Sequence, residues 1–125
     1  MQEKPLRHLL HVDFDSFASR TRSEILRGAG FAVQTVYSTV DCLRELELAP
    51  FDAVLVHASI RYHSGADLVP LLKALHPNVP IIILHFSETT EPGGDATFCT
   101  FRPPGDLIML MEEKIGKKFY GKTAS

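Results

Sequence analysis

The chain has 125 residues, which is enough for one domain and too few for two separate hydrophobic cores. Hydrophobic residues make up 45% of the chain and charged residues 22%, a balance that excludes a disordered protein. The formal net charge of -2 argues against nucleic acid as the partner, and no apolar run approaches the roughly 18 residues of a membrane span. Because the N-terminus lacks the layout of a signal peptide, the sequence predicts a cytoplasmic protein that binds neither nucleic acid nor a membrane.

The first half of the chain repeats a strand followed by a helix. An apolar run at 9–12 predicts a strand, and apolar residues at helical spacing predict a helix over 17–29 that ends at a glycine. Residues 31–36 predict a second strand. The capping pattern that begins at Ser38 opens a second helix, which ends before Pro50.

The second half continues this alternation. The continuous apolar run 53–57 predicts a strand covered on both faces, and a capping pattern at 64–67 precedes a third helix. Residues 79–85 and 97–101 predict two further strands, and 106–115 predicts a terminal helix.

One connection breaks the pattern. The segment 87–95 is all that separates the fourth and fifth strands, and it contains Pro92, Gly93 and Gly94. These residues disfavour a helix, so we expect the helix between the two strands to be shortened or missing and the segment to be mobile.

Three potentially reactive side chains lie inside apolar segments. Cys42 and Cys99 have no framework of further cysteines, so each is predicted to be a buried, reduced thiol. His11 lies within the first strand and is predicted to be a core histidine with hydrogen-bond partners.

Five strands alternating with helices predict an α/β fold, a doubly wound parallel sheet of the flavodoxin-like class with strand order 2-1-3-4-5. In such sheets the functional crevice lies beyond the carboxyl ends of the strands. This position brings together Asp13, Asp15, His57, His85 and Arg102.

Six stretches, in this order, carry the pattern of a known family. They are 10–13 with an acidic residue shortly after it, 30–31, 51–56, Gly65, 79–84 and 102–103. Together they resemble the receiver domain of bacterial response regulators, also called the CheY-like domain. The resemblance implies one receiver-like domain over 1–125, with its core at about 6–116 and a tail at 117–125. It also implies a role in two-component or phosphorelay signalling with a protein partner, which is a kinase, a regulator or a second copy of the chain.

The resemblance identifies the positions of a phosphorylation pocket that is degenerate in this chain. In receivers an aspartate at the end of the third strand accepts the phosphoryl group, and carboxylates after the first strand hold a magnesium ion. The corresponding pocket residues are Asp13, Phe14, Asp15, His57, His85, Arg102 and Pro103. His57 stands at the phosphoacceptor position and has no carboxylate, and Phe14 replaces an acidic residue. His85 stands at the hydroxyl position and Arg102 at the lysine position.

These replacements predict a pseudo-receiver that is not an enzyme, uses no cofactor and acts by protein–protein interaction without phosphorylation. Arg102 is expected to pair with Asp13 or Asp15 across the crevice and to hold it in one arrangement. The peptide bond before Pro103 is expected to be cis, as it often is in the family.

Two alternatives use the same residues. His57, His85 and Asp13 are ligand types for zinc or iron, so the chain could be a metal- or small-ligand-binding flavodoxin-like domain, with or without enzymatic activity. The positive charge of Arg102 argues against a metal. In addition, an imidazole nitrogen of His57 could itself carry a phosphoryl group.

The terminal helix has more apolar residues than one face can bury. They are Leu107, Ile108, Met109 and Met111, together with the leucine between the methionines. Either this helix forms the interface of a homodimer, or the shortened helix before it lets it pack more deeply on the sheet.

Overall fold

The computed structural model of the chain describes residues 6–87 and 92–116. Its strands are β1 (Arg7–Val12), β2 (Phe31–Val36), β3 (Ala53–His57), β4 (Ile81–His85) and β5 (Ala96–Cys99). Its helices are α1 (Phe17–Gly28), α2 (Thr39–Leu48), α3 (Leu68–Leu75) and α4 (Pro104–Met111), with a π-helical turn at Glu112–Gly116. The strands form one parallel sheet in the order β2-β1-β3-β4-β5, which confirms the predicted fold class.

Two hydrophobic layers cover the sheet. On one face, Leu72 of α3 lies in a cluster with Val56 of β3. On the other face, Leu26 of α1 and Leu107 of α4 lie in a cluster with Leu55. Because successive side chains of a strand point to opposite faces, β3 and β4 contribute to both layers, and each of their residues is buried. This arrangement explains the continuous apolar runs of these strands.

The helices begin where polar side chains cap them. Ser16 Oγ accepts from the Ser19 N–H of α1 at 3.1 Å, and Asp67 Oδ1 accepts from the Val69 N–H of α3 at 3.1 Å. Pro70 is tolerated because it is the third residue of α3, within the first turn, where the missing N–H would have no helical partner. Within the described part of the chain, no helix is long and apolar enough to span a membrane.

The connection from β4 to β5 contains no helix in its described residues, while 88–91 lie outside the described part. Residues 94 and 95, in the second half of this connection, pack closely against β4. A Cβ atom on Gly94 would lie 2.9 Å from the Ile83 side chain, and Asp95 and Ile81 are joined by two hydrogen bonds of 2.7 Å. The shortened helix was therefore predicted correctly for these residues, whereas their close packing argues against the predicted mobility.

The terminal helix α4 buries part of its apolar surface within the domain. Leu107 and Met111 are 3% and 0% exposed within the cluster that α4 shares with α1, and Ile108 packs against that cluster. The prediction that Leu107 and Met111 form a homodimer interface is wrong, because the domain buries them itself. Met109 is 70% exposed and remains available for a contact.

Candidate functional site

The strand ends bring the predicted pocket residues to one edge of the sheet. Asp13 follows β1, and His57 and His85 are the last residues of β3 and β4. β1 and β3 are adjacent, as are β3 and β4, with Val12 opposite Val56 and His57 opposite Leu84. Arg102 lies beyond β5 at the same edge.

Asp13 forms a buried ion pair with a residue that the sequence did not single out. Arg22 Nη1 of α1 donates to Asp13 Oδ2 at 2.8 Å, and the two side chains are 12% and 8% exposed. Asp13 Oδ1 accepts from the Phe14 N–H at 2.7 Å. Both carboxylate oxygens are thus occupied by donors from the chain itself.

The predicted pairing of Arg102 with Asp13 or Asp15 is wrong. Asp13 pairs with Arg22, and Asp15 pairs at 3.0 Å with Arg20 at the surface. The reason is distance, because β1 and β5 are three strand spacings apart, about 14 Å. Arg102 is instead exposed and lines a hollow beside β5. The peptide bond before Pro103 is trans, so the expected cis bond is also wrong.

His11 lies behind the ion pair and is fully buried. Its Nδ1 is 3.1 Å from Ser23 Oγ, which is 2.7 Å from Thr35 Oγ1, and its Nε2 is 3.5 Å from Asp13 Oδ2. These contacts confirm the prediction of a core histidine with partners. Burial lowers the pKa of His11 more than the neighbouring Asp13 raises it.

Asp13 keeps its charge despite being buried. Burial alone would raise the pKa of this carboxyl, but the hydrogen bond from His11 and the nearby His57 outweigh that effect and lower it. The pocket therefore holds a carboxylate whose charge the chain itself balances.

His57 is 3% exposed and has one nitrogen occupied. The Ser59 N–H donates to His57 Nδ1 at 3.2 Å, and Ser59 Oγ lies 2.7 Å from the same atom. Because Nδ1 accepts from a backbone N–H, the neutral ring carries its hydrogen on Nε2. Burial lowers the pKa of His57 more than Asp13 raises it, so the ring is predominantly neutral at pH 7.

The structure does not bring His57, His85 and Asp13 together as a metal site. Among the described residues, no group of three or more His, Cys, Asp or Glu side chains could hold a metal ion. The alternation of side chains gives the reason. His57 continues the row of Leu55, whereas His85 continues the row of Ile83 and faces the opposite side of the sheet.

Aromatic side chains lie along the carboxyl edge of the sheet, and one of them contacts His57. The Phe86 ring packs against the His57 ring at an angle of 60°, with 4.7 Å between centroids, and the Phe101 ring lies 6.2 Å from the Phe86 ring. The Phe14 ring contacts the His63 ring edge-on at 5.4 Å. We call these four residues, Phe14, His63, Phe86 and Phe101, the aromatic rim. Phe86 and Phe101 were missed from the sequence, although an aromatic residue just after a strand end was the available signal.

A buried arginine ties the loop after β3 to the β4–β5 connection. Arg61 is 1% exposed, forms two hydrogen bonds of 2.9 and 2.7 Å with the Asp67 carboxylate, and donates to the Pro92 carbonyl at 2.9 Å. Sequence reasoning missed Arg61, because an arginine in a loop is normally exposed.

No protein-family model matches the chain. Over 88 residues it is 31% identical to the Transcriptional regulatory protein ZraR of Salmonella typhimurium, an alignment that covers 70% of this chain and 20% of that protein. The chain thus spans about a fifth of the length of the curated relatives that it matches.

Solved structures agree with the topology. A response regulator receiver domain protein (CheY-like) from Methanospirillum hungatei is similar with a TM-score of 0.79 and 21% identity, covering 94% of this chain and 99% of that one. The chain has the receiver-domain fold. A signal receiver domain of an HD domain-containing protein from Pseudomonas fluorescens is similar with a TM-score of 0.81 and 12% identity, covering 98% of this chain and 96% of that one.

Proposed function

We propose that this receiver-like chain serves in two-component or phosphorelay signalling as a cytoplasmic, non-enzymatic domain that acts by protein–protein interaction without phosphorylation. The similarity to receiver domains and to a transcriptional regulatory protein supports the signalling context. One observation carries the independence from phosphorylation: the Arg22 guanidinium lies 2.8 Å from the one acidic-pair carboxylate that the pocket keeps.

The chemistry of phosphoryl transfer explains why this contact matters. A receiver needs a carboxylate nucleophile and a divalent cation held by oxygen ligands. Here Phe14 removes one ligand, and the Arg22 charge repels a cation from the remaining Asp13. His57 cannot form an acyl phosphate, and Ser59 already occupies its Nδ1.

The aromatic rim is evidence that a protein partner binds at the carboxyl edge of the sheet. Phe86 and Phe101 are 62% and 78% exposed, and neighbouring exposed aromatic residues are typical of protein interfaces. The partner is a kinase, a regulator or a second copy of the chain, and neither a nucleic acid nor a membrane. For a second copy, Met109 is the residue of the predicted α4 interface that remains well exposed.

The test first restores the missing carboxylates and then removes the opposing charge of Arg22. We expect the wild-type chain to show no phosphoryl mass shift with acetyl phosphate and Mg²⁺, and no magnesium-dependent binding of beryllofluoride. The double variant His57→Asp, Phe14→Asp restores two carboxylates, but Arg22 should still oppose the cation. Adding Arg22→Ala should then strengthen magnesium binding about ten-fold or more.

Arg20→Ala, added to the same double variant, is the matched control. Arg20 lies on α1 as well, but it pairs with Asp15 at the surface, so its removal should change magnesium binding little. A phosphoryl adduct on a crevice residue of the wild-type chain would refute the proposal. Equal effects of Arg20→Ala and Arg22→Ala would remove its main support.

A further inference from the structure

A groove runs between strand β5 and helix α4. It has a volume of about 610 Å³, and both elements line it. β5 is the last strand of the sheet, so one of its edges pairs with no strand in the described part of the chain. In that part, the connection between β4 and β5 contributes no helix to cover this edge. A groove between a strand edge and a helix suits an extended segment of chain.

The α4 side of the groove alternates acidic and apolar residues. The residues that line it are Asp106, Met109, Leu110 and Glu113, whose spacing of three, four and seven places them along one side of the helix. Met109 is 70% exposed. Asp106 and Glu113 are exposed, and neither belongs to an ion pair among the described residues. Read from the end of α4 towards its beginning, the groove therefore presents a carboxylate, an apolar stretch and a second carboxylate.

His85 brings an unsatisfied polar atom to the same groove. The residue is 5% exposed and belongs to the lining, and its Nδ1 is buried without a hydrogen-bond partner in the described part of the chain. A buried ring nitrogen without a partner is costly and uncommon in native proteins. An occupant of the groove that brings an N–H or O–H to this end would remove that cost.

The chain itself continues past the groove with a segment of complementary character. The described residues end at Gly116, which is three positions after Glu113. The tail that follows, 117–125, has no acidic side chain, and it carries lysines at 117, 118 and 122 with aromatic residues at 119 and 120. Its order of cations, aromatic pair and cation matches the order of carboxylate, apolar stretch and carboxylate along the groove.

The spacing of these groups matches as well. Asp106 and Glu113 are seven positions apart, which is about 10 Å along a helix. Lys118 and Lys122 are four positions apart, which is about 13 Å in an extended chain. A tail that turns back after Gly116 can therefore reach both carboxylates. Because it is tethered at the end of the groove, it also has a high effective concentration there, which favours it over a second copy of the chain.

We propose that the chain's own tail docks in this groove as an extended segment antiparallel to α4. Lys118 pairs with Glu113, the aromatic residues at 119 and 120 cover Met109, and Lys122 pairs with Asp106. The docked tail covers the edge of β5 where the described residues supply no helix. The aromatic rim lies outside the groove lining, so the tail leaves the proposed partner surface accessible.

The first experiment detects the ion pairs in the full chain with a carbodiimide, which joins a lysine amine to a carboxylate only when the two are in contact. An equal mixture of unlabelled and ¹⁵N-labelled chains separates links within a chain from links between chains. We expect a Lys122–Asp106 link within one chain, several times more abundant than a link from Lys122 to Glu47, an exposed carboxylate on α2. This pair is decisive, because a simple continuation of α4 could join Lys118 to Glu113 but not Lys122 to Asp106.

The second experiment measures the cover over Met109 by its oxidation with hydrogen peroxide, relative to the fully buried Met111. The double variant Phe119→Ala, Tyr120→Ala should raise this relative rate about three-fold or more, because methionine oxidation depends on access. Leu48→Ala, which truncates an exposed apolar residue on α2, is the matched control and should leave the rate unchanged. No excess of the Lys122–Asp106 link, links mainly between chains, or an unchanged Met109 rate in the double variant would each overturn the proposal.

Discussion

The β1 end of the carboxyl edge and its β4–β5 end differ in how their buried polar groups are paired. At the β1 end, Asp13 has Arg22 and a backbone N–H as partners, and His11 has Ser23. At the other end, His85 keeps a ring nitrogen without a partner among the described residues. The comparison shows that internal charge closes the β1 end of the edge, whereas a buried ring nitrogen at the β4–β5 end has no comparable partner among the described residues.

Arg61 nevertheless holds the β4–β5 end firmly. Replacing this residue should lower the free energy of unfolding more than any other substitution proposed below. Arg61→Met leaves the Asp67 carboxylate and the Pro92 carbonyl without their main donor. Because the guanidinium is 1% exposed, we expect a loss of about 3 to 5 kcal/mol in the free energy of unfolding, measured in urea. The exposed pair of Arg7 with Glu112 is the control, and Arg7→Met should cost about 1 kcal/mol or less. Similar losses for the two variants would mean that the anchor contributes little.

Removing the ion pair at the β1 end should have the next largest effect. Arg22→Met leaves Asp13 buried with one donor fewer, and we expect a loss of about 2 to 3 kcal/mol because a little water still reaches the pair. Arg20→Met on the same helix breaks only a surface pair and should stay within about 0.5 kcal/mol of the wild type. If Arg22→Met is as stable as Arg20→Met, the internal charge does not close this half of the pocket.

The close packing of the connection to β5 can be tested with a single methyl group. Gly94→Ala places a Cβ atom 2.9 Å from Ile83 and 3.1 Å from the Ala96 carbonyl oxygen, so we expect a loss of about 1 to 3 kcal/mol. Gly105→Ala, in α4, has no neighbour within 4 Å and should stabilise the protein slightly, by up to about 1 kcal/mol. Thermal unfolding of both variants provides the measurement. If Gly94→Ala leaves the stability unchanged, the connection can shift to accommodate the methyl group and is not closely packed.

The fold was predictable because the local signals agree with one another. Strand β3 was predicted with its observed bounds, since burial on both faces requires a continuous apolar run. The location of His57 and His85 at the ends of β3 and β4 was also predicted correctly, because strand ends in a doubly wound sheet have a known place.

Partners of charged side chains were much harder to predict. Arg22 was missed and Arg102 assigned in its place, because the pairing depends on how α1 lies against β1 and on the distance across the sheet. Neither the position of α1 on the sheet nor the distance between two strands can be read from the spacing of residues in the sequence. Arg61 was missed for a related reason, since only the folded chain shows that its loop is buried.

Acid should weaken the domain through its buried histidines, and this is the smallest of the expected effects. Burial lowers the pKa of His11 and His57 in the folded state, while a histidine in the unfolded chain titrates near 6.5. As the pH falls below about 6.5, the unfolded state therefore binds protons first, and stability is lost until the lower folded pKa is reached.

The pKa of Asp13 is also lowered, and its contribution acts in a separate window. That contribution is present above the unfolded value of about 3.9 and disappears only as the pH falls through the folded value. Urea unfolding at several pH values between about 7 and 5 thus isolates the histidines, and we expect the free energy of unfolding to fall steadily over this range.

The variant His57→Phe keeps an aromatic ring against Phe86 but cannot titrate, so it should remove about half of this pH dependence. His63→Phe in the aromatic rim is the matched control, because it makes the same substitution at an exposed histidine. If His57→Phe leaves the slope unchanged, the acid sensitivity arises at His11 or elsewhere. The assignment of a neutral ring to His57 would then lose its support. The proposal that His57 serves as a fixed hydrogen-bond acceptor, where receivers have a phosphoacceptor, would lose its support as well.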